Sequence, residues 1–396
     1  MQVLERSKAL AIPPLLRLAF RPFFLGGCLL ALLAIPLWLA AFSGSIVNWQ
    51  PAGGWLGWHR HELLFGFGLA IIAGFLLTAV QTWTSRPGLS GQPLAALAVV
   101  WLLARVAWLV NAPWAVLAIL ELAFPLAVAA LMGFTLWKVR QKRNYPIVVV
   151  LLLLAAADAV SLYGLLAGHE GWQRQGVLGG IWLVAAMMGL IGGRVIPFFT
   201  QRGLGRKDAV VPWAWLDWLL LIGSPLVAVL YAAGPALYAN VWMGLLFAVL
   251  GVGHLIRLVR WHDRGLWQVP LLWSLHLAYG WLALACLGMA AWHFGAPINP
   301  SLAVHCLTIG AMGGLVLAMI ARVSLGHTGR PLEPPRGMTL AFILLNLGCL
   351  SRVGLVLLFP LAALWIAGAC WALAFALYTW RYAPMLVRAR VDGHPG

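Results

Sequence analysis

Twelve long apolar stretches divide this chain from end to end, over residues 22–42, 61–82, 93–110, 113–137, 146–166, 176–199, 213–232, 235–257, 269–292, 301–321, 338–359 and 361–381. Hydrocarbon offers no water to satisfy peptide groups, so a stretch of about 20 apolar residues spans a bilayer as a helix. The connections between them are too short to hide a soluble domain. The expectation is an all-α membrane protein: a single polytopic domain over 1–396 with twelve transmembrane helices. With 63% hydrophobic and 9% charged residues, the chain is too apolar for a water-facing surface.

Charge sets the orientation. With the basic amino terminus (Arg6, Lys8, Arg17, Arg21) inside, the even-numbered connections and the carboxy terminus collect Lys and Arg: 21 fall inside and only Arg60 and Arg174 outside. By the positive-inside rule both termini are cytoplasmic. The net charge of +16 is then a topology signal, and a nucleic-acid partner, which would want a basic face on a soluble fold, is set aside. The first stretch is long, interrupted by Pro and without a small-residue cleavage site, so it reads as a helix and not a signal peptide. Cys28, Cys286, Cys306, Cys349 and Cys370 are scattered, with no metal or disulfide spacing.

Three arginines remain inside the spans: Arg105, Arg194 and Arg352. Each needs a partner or a route to the interface, because an unpaired arginine at mid-membrane costs roughly 2.5–3.5 kcal/mol on insertion scales. Glu121 and Asp158 in the fourth and fifth stretches are the candidate counter-ions, and plain ion pairing is the simplest reading. The histidines also sort by depth. His169, His254, His262, His293 and His394 lie in or near connections and read as solvated or interfacial, whereas His59, His61, His276, His305 and His327 call for another explanation.

Shifting the chain by 244 residues lays "HELLFGFGLAIIAGFLLTAVQTWTSRP" (61–87) on "HCLTIGAMGGLVLAMIARVSLGHTGRP" (305–331), pairing His61 with His305, Gly66 with Gly310 and Arg86 with Arg330. With three residues inserted, Arg105 falls on Arg352. The second and tenth stretches run in the same direction, so the repeat, if real, is a parallel one. Two histidines at one depth suit the axial positions of a b-type heme, and Arg105 and Arg352 would then steady its propionates. His59, two residues from His61, points about 200° away on a helix. It sits in the helix cap, either binding a second metal such as copper or hydrogen-bonding at the surface. On the inner side Arg194, Arg322, His276 and His327 stand at similar depth. They read as a second heme or metal site, an anion or quinone-headgroup site, or glycine-capped helix ends with snorkelling arginines.

Several longer strings point beyond composition: "FRPFFL" (20–25), "WHRHELLFGF" (58–67), "GFLLTAV" (74–80), "GGRVIPFFT" (192–200), "LHLAYGWL" (275–282) and "ARVSLGHTGRPL" (321–332). Through them the chain resembles the NnrS family over nearly its whole length. The resemblance implies a multi-pass protein of the bacterial inner membrane, associated with heme and copper and linked to denitrification and the nitric oxide response. The family's WHxHE pattern falls on Trp58, His59, His61 and Glu62, and its HTGRP pattern on His327, Thr328, Gly329, Arg330 and Pro331. Ala321 stands where Thr is expected, which puts little in doubt. Two functional classes stay open. One is a heme protein that binds or reduces nitric oxide or passes electrons from quinol; the other is a twelve-helix transporter of a metal, heme or small metabolite.

Overall fold

A computed structural model of the chain describes residues 6–46 and 48–395, with the side chains of residues 6 and 7, Arg6 among them, outside the described set. Among the described residues every regular element is helical. Twelve helices are long and apolar enough to cross a membrane: α1 (Phe20–Phe42), α2 (Gly54–Thr84), α3 (Gly91–Leu109), α4 (Trp114–Lys138), α5 (Lys142–Leu166), α6 (Glu170–Gly203), α7 (Ala214–Ala232), α8 (Val241–Trp261), α9 (Pro270–His293), α10 (Pro300–His327), α11 (Met338–Leu357) and α12 (Pro360–Val387). This is the helix count and order expected from hydropathy.

Two helix ends correct the sequence reading. Helix α2 starts at Gly54, seven residues before the apolar run, because Trp55 and Trp58 turn inward and are buried. Gly53, with φ of 67°, makes the left-handed turn that admits the chain to the helix. His59 therefore lies inside a helix and not in its cap, stacked on Trp38 with ring centroids 4.8 Å apart. Helix α10 likewise runs through His327 instead of stopping before it.

Neither α2 nor α10 is α-helical throughout. In α2 the α-helical turns Gly54–His61 give way to a π-helical segment, Glu62–Gly68, and in α10 Pro300–His305 gives way to Cys306–Gly313. The two histidines of the proposed repeat thus each close an α-helical segment and open a π-helical one. Such segments are rare and tend to mark functional sites, so their coincidence at equivalent positions adds a backbone likeness to the sequence likeness.

The chain forms two compact units: Met1–Val177 with Ile320–Pro335 and Phe375–Gly396, and Leu178–Met319 with Arg336–Ala374. In the first, α4 packs on α5, α1 on α2, and α3 and α2 on α4; in the second, α8 packs on α9, and α9 and α11 on the π-helical part of α10. Small residues set the closest approaches, as is usual between membrane helices. A Cβ at Gly176 would lie 2.4 Å from Ala157 O and one at Gly164 2.3 Å from Gln173 N. The backbones of α5 and of the start of α6 therefore touch, and this fixes the face of α5 that carries Asp158.

Candidate metal centre

Four helices of the first unit each bring an ionisable or hydrogen-bonding side chain to one buried point. His61 and Glu62 come from the junction of the α- and π-helical parts of α2, Arg105 and Trp108 from α3, Glu121 from α4 and Asp158 from α5. All are buried, His61 and Asp158 completely. His61 Nε2 lies 2.8 Å from Asp158 Oδ1, and His61 Nδ1 lies 3.3 Å from Glu62 Oε1. Arg105 Nε faces Glu62 Oε2 at 3.1 Å, and its Nη2 pairs with Glu121. Trp108 Nε1 donates to the same Glu121 oxygen. Gly66 makes room for this arrangement: a Cβ there would stand 2.7 Å from Arg105 Nη1, while the Gly66 carbonyl accepts from Trp101 Nε1 at 3.0 Å.

The cluster is short of positive charge. Three carboxylates share one guanidinium, so with a neutral imidazole two negative charges are left over in a medium that tolerates none unpaired. A neutral imidazole also has only one N–H to give. If His61 Nδ1–H donates to Glu62, the Nε2 lone pair faces an Asp158 oxygen, a contact that needs a proton or a metal ion to be attractive. One atom each of His61, Glu121 and Asp158 lies within 4.8 Å of the others, and Asp158 Oδ2 accepts no hydrogen bond from the described residues. Ligand bonds of about 2.0–2.2 Å place cis ligands about 3 Å apart, close to the His61–Asp158 separation. Glu62 then stands in the place of the outer-shell acceptor that metal-bound histidines usually have.

Apolar side chains close the centre. The Trp108 ring lies 4.4 Å from the His61 ring by centroid and the Phe65 ring 5.2 Å. Trp55, Trp58, Leu117 and Leu162 join Trp108 in a buried cluster beside them. Water is kept from the carboxylates, so their pairing has to be satisfied within the protein.

The other residues singled out in the sequence are dispersed. His305 and Arg352 belong to the second unit. His305 Nδ1 donates to Ser301 O at 2.7 Å, and Arg352 Nη2 donates to Ser301 Oγ at 3.2 Å. Cys306 stands at the position that the 244-residue shift pairs with Glu62, with Cys349 Sγ 3.9 Å from His305 O, so no acid adjoins His305 in sequence as Glu62 adjoins His61. His276 is buried in the second unit, donating Nδ1–H to Leu272 O at 3.0 Å. Arg194 sits half-buried in the second unit, whereas Arg322 and His327 belong to the first. His254 and His293, expected to be solvated or interfacial, are both buried: His254 Nδ1 meets Tyr279 Oη at 2.8 Å, and His293 stacks on Phe247. Hydropathy placed them near helix ends but could not register the neighbouring helices that cover them.

Glu121 and Asp158 were legible as intramembrane acids, yet as counter-ions for arginine, not as partners of His61. Glu62 was visible only as part of a motif. Their shared depth was the available signal.

No curated protein matches the chain. A family model described as NnrS protein matches residues 14–390, which takes in all of α1 to α12 and every residue of the buried centre. The chain belongs to the NnrS family.

Proposed function

We propose that this protein is a metalloprotein of the bacterial inner membrane that serves the nitric oxide response, with a divalent metal held by His61, Glu121 and Asp158. One observation carries the reading: three buried donors from three helices converge in a cluster whose three carboxyl groups share a single guanidinium. The donor chemistry fits. One imidazole and two carboxylates suit iron, manganese, zinc or Cu(II); Cu(I), which prefers sulfur, fits poorly. With three protein ligands the metal would keep open positions, where a small ligand such as nitric oxide can attach.

The surrounding side chains have separable tasks. Glu62 holds the Nδ1 proton and so presents Nε2 as the donor atom. Arg105 pairs with both Glu62 and Glu121, and Trp108 Nε1 holds the Glu121 carboxylate by a hydrogen bond. The aromatic wall excludes water, which strengthens each of these interactions.

A second reading, a b-type heme on His305, is favoured by its own observation. Donation of Nδ1–H to Ser301 O leaves Nε2 as the lone-pair nitrogen, the tautomer an axial ligand requires, and Arg352 stands beside the same serine as a cation for a propionate. For His61 to be the opposite axial ligand, its Nε2 would have to leave Asp158. Metal analysis and reduced-minus-oxidised spectra with pyridine-hemochrome quantitation on purified protein separate the readings. His61→Ala should abolish the bound metal and leave any heme signal intact, and His305→Ala should do the reverse. Loss of heme in both variants would restore the bis-histidine heme. Absence of both metal and heme from wild-type protein would favour the transport of a metal or small metabolite.

A further inference from the structure

The HTGRP turn at the end of α10 takes no part in the metal centre, yet it helps to build a second unusual environment within the first unit. Arg21, the second residue of α1, has no solvent exposure. Its Nη1 donates to three carbonyls of the carboxy-terminal segment: Leu386 at 2.8 Å, Arg388 at 2.7 Å and Met385 at 3.4 Å. Its Nε and Nη2, equally buried, meet no acceptor among the described residues. A guanidinium with two idle donors in a buried setting is costly, and among the described residues no carboxylate pairs with it.

The neighbours add positive charge. Among the described residues, Arg17, Arg390 and Arg330 act on Arg21 through their charge. Arg390 Nη1 donates to the His327 carbonyl at 3.0 Å and Arg330 Nη1 to the Thr328 carbonyl at 3.3 Å. Arg17 donates to Ile12 O and Leu10 O, each at 2.9 Å. The acid in this region, Asp392, is taken by Arg390 through both carboxylate oxygens. Gly329, with φ of 75°, lets the turn close over that pair, since a Cβ there would lie 2.7 Å from the Asp392 carboxylate. Phe20 packs between Arg21 and His327, 5.5 Å from the guanidinium carbon and 5.5 Å from the imidazole ring. Four arginines on three chain segments thus bond backbone carbonyls, and among the described residues Asp392 is the one carboxylate bonded to them.

We propose that Arg21, Arg17, Arg330 and Arg390 form a binding site for a phosphate oxyanion, carried by an anionic lipid headgroup or by free phosphate, at the end of the bundle that the charge bias places in the cytoplasm. Planar guanidinium forks match phosphate oxygens geometrically. Idle donors on the innermost arginine supply the specific contact, and the outer three supply attraction. The carboxy-terminal segment, exposed at residues 387–389 and 391–394, is the cover that an entering anion would displace from Arg21.

The test uses full-length protein in nanodiscs and reads its thermal unfolding. One arm compares phosphatidylcholine discs with discs containing phosphatidylglycerol; the other adds inorganic phosphate to phosphatidylcholine discs against chloride at equal ionic strength. A saturable rise in melting temperature in the first arm identifies a lipid headgroup, and in the second a free phosphate. In either case Arg21→Gln, and separately Arg330→Gln with Arg390→Gln, should weaken the apparent affinity about tenfold per contact removed. If Arg21→Gln fails to fold, the double variant decides alone. No rise in either arm, or a rise that both variants retain in full, overturns the proposal.

Discussion

His61 has a carboxylate on each ring nitrogen, and the proposed metal centre is built around it. Glu62 is not among the three candidate ligands, yet as the acceptor beside Nδ1 it would leave Nε2 for the metal. Glu62→Gln keeps the shape and an acceptor oxygen while removing a charge, so metal should bind about 10–100-fold more weakly with the ligand set unchanged. Metal titration of the apoprotein checks this, and an unaltered affinity would make Glu62 merely a partner of Arg105. Much of this was legible at the level of single residues. A histidine, an arginine and two acids inside apolar spans demand an explanation from the sequence alone. Their convergence was not legible, because the rotation of each helix about its own axis leaves no trace in hydropathy. Arg105 is the instructive case. The sequence offered it two roles, ion pairing or steadying a propionate, and in the structure Glu62 and Glu121 occupy two of its nitrogens.

At the scale of helices, the centre depends on close approaches that glycine allows. Gly176→Ala would drive a methyl group into the backbone of α5 next to Asp158. Overpacking of this kind costs about 1–3 kcal/mol, and here it should also loosen the metal, since Asp158 lies one residue beyond Ala157. Thermal unfolding and metal retention should fall together in this variant. Gly133→Ala, whose new methyl would meet Val148 Cγ1 at an ordinary 3.4 Å, serves as the control and should change neither. The π-helical segments could not be foreseen: Glu62–Gly68 and Cys306–Gly313 contain nothing that distinguishes them from α-helical sequence. What the sequence did offer was the likeness of the two stretches around His61 and His305, each of which closes an α-helical segment before a π-helical one.

For the molecule as a whole, the helix count followed from apolar length, because that is fixed by the solvent and not by packing. Division into two compact units was beyond reach, since it depends on which helices touch. Polar connections also carry structure that composition does not reveal. Between α8 and α9, Asp263 accepts from Arg206 Nε at 2.8 Å and Nη2 at 2.9 Å, and from the Gly265 N–H at 2.8 Å. The Arg206 hydrogen bonds, then that of Gly265, lower its pKa from the ordinary 3.8 to about 2. A depressed carboxylate contributes stability above its unfolded value and loses it on protonation. The latch should therefore be intact at pH 5 and above and fail as pH falls from about 3.8 through about 2. An NMR titration of the Asp263 carboxyl checks the window; Asp263→Asn should speed exchange of the Gly265 amide at neutral pH with little change in overall melting, as befits an exposed pair.

The centre itself is tested most directly by X-ray absorption at the edge of whatever metal elemental analysis finds in the purified wild-type protein. A metal on His61, Glu121 and Asp158 should give a first shell of nitrogen and oxygen alone at about 2.0–2.2 Å, with the outer-shell scattering of one imidazole. A sulfur shell, a porphyrin scattering pattern as the whole signal, or metal well below one equivalent per chain would contradict it.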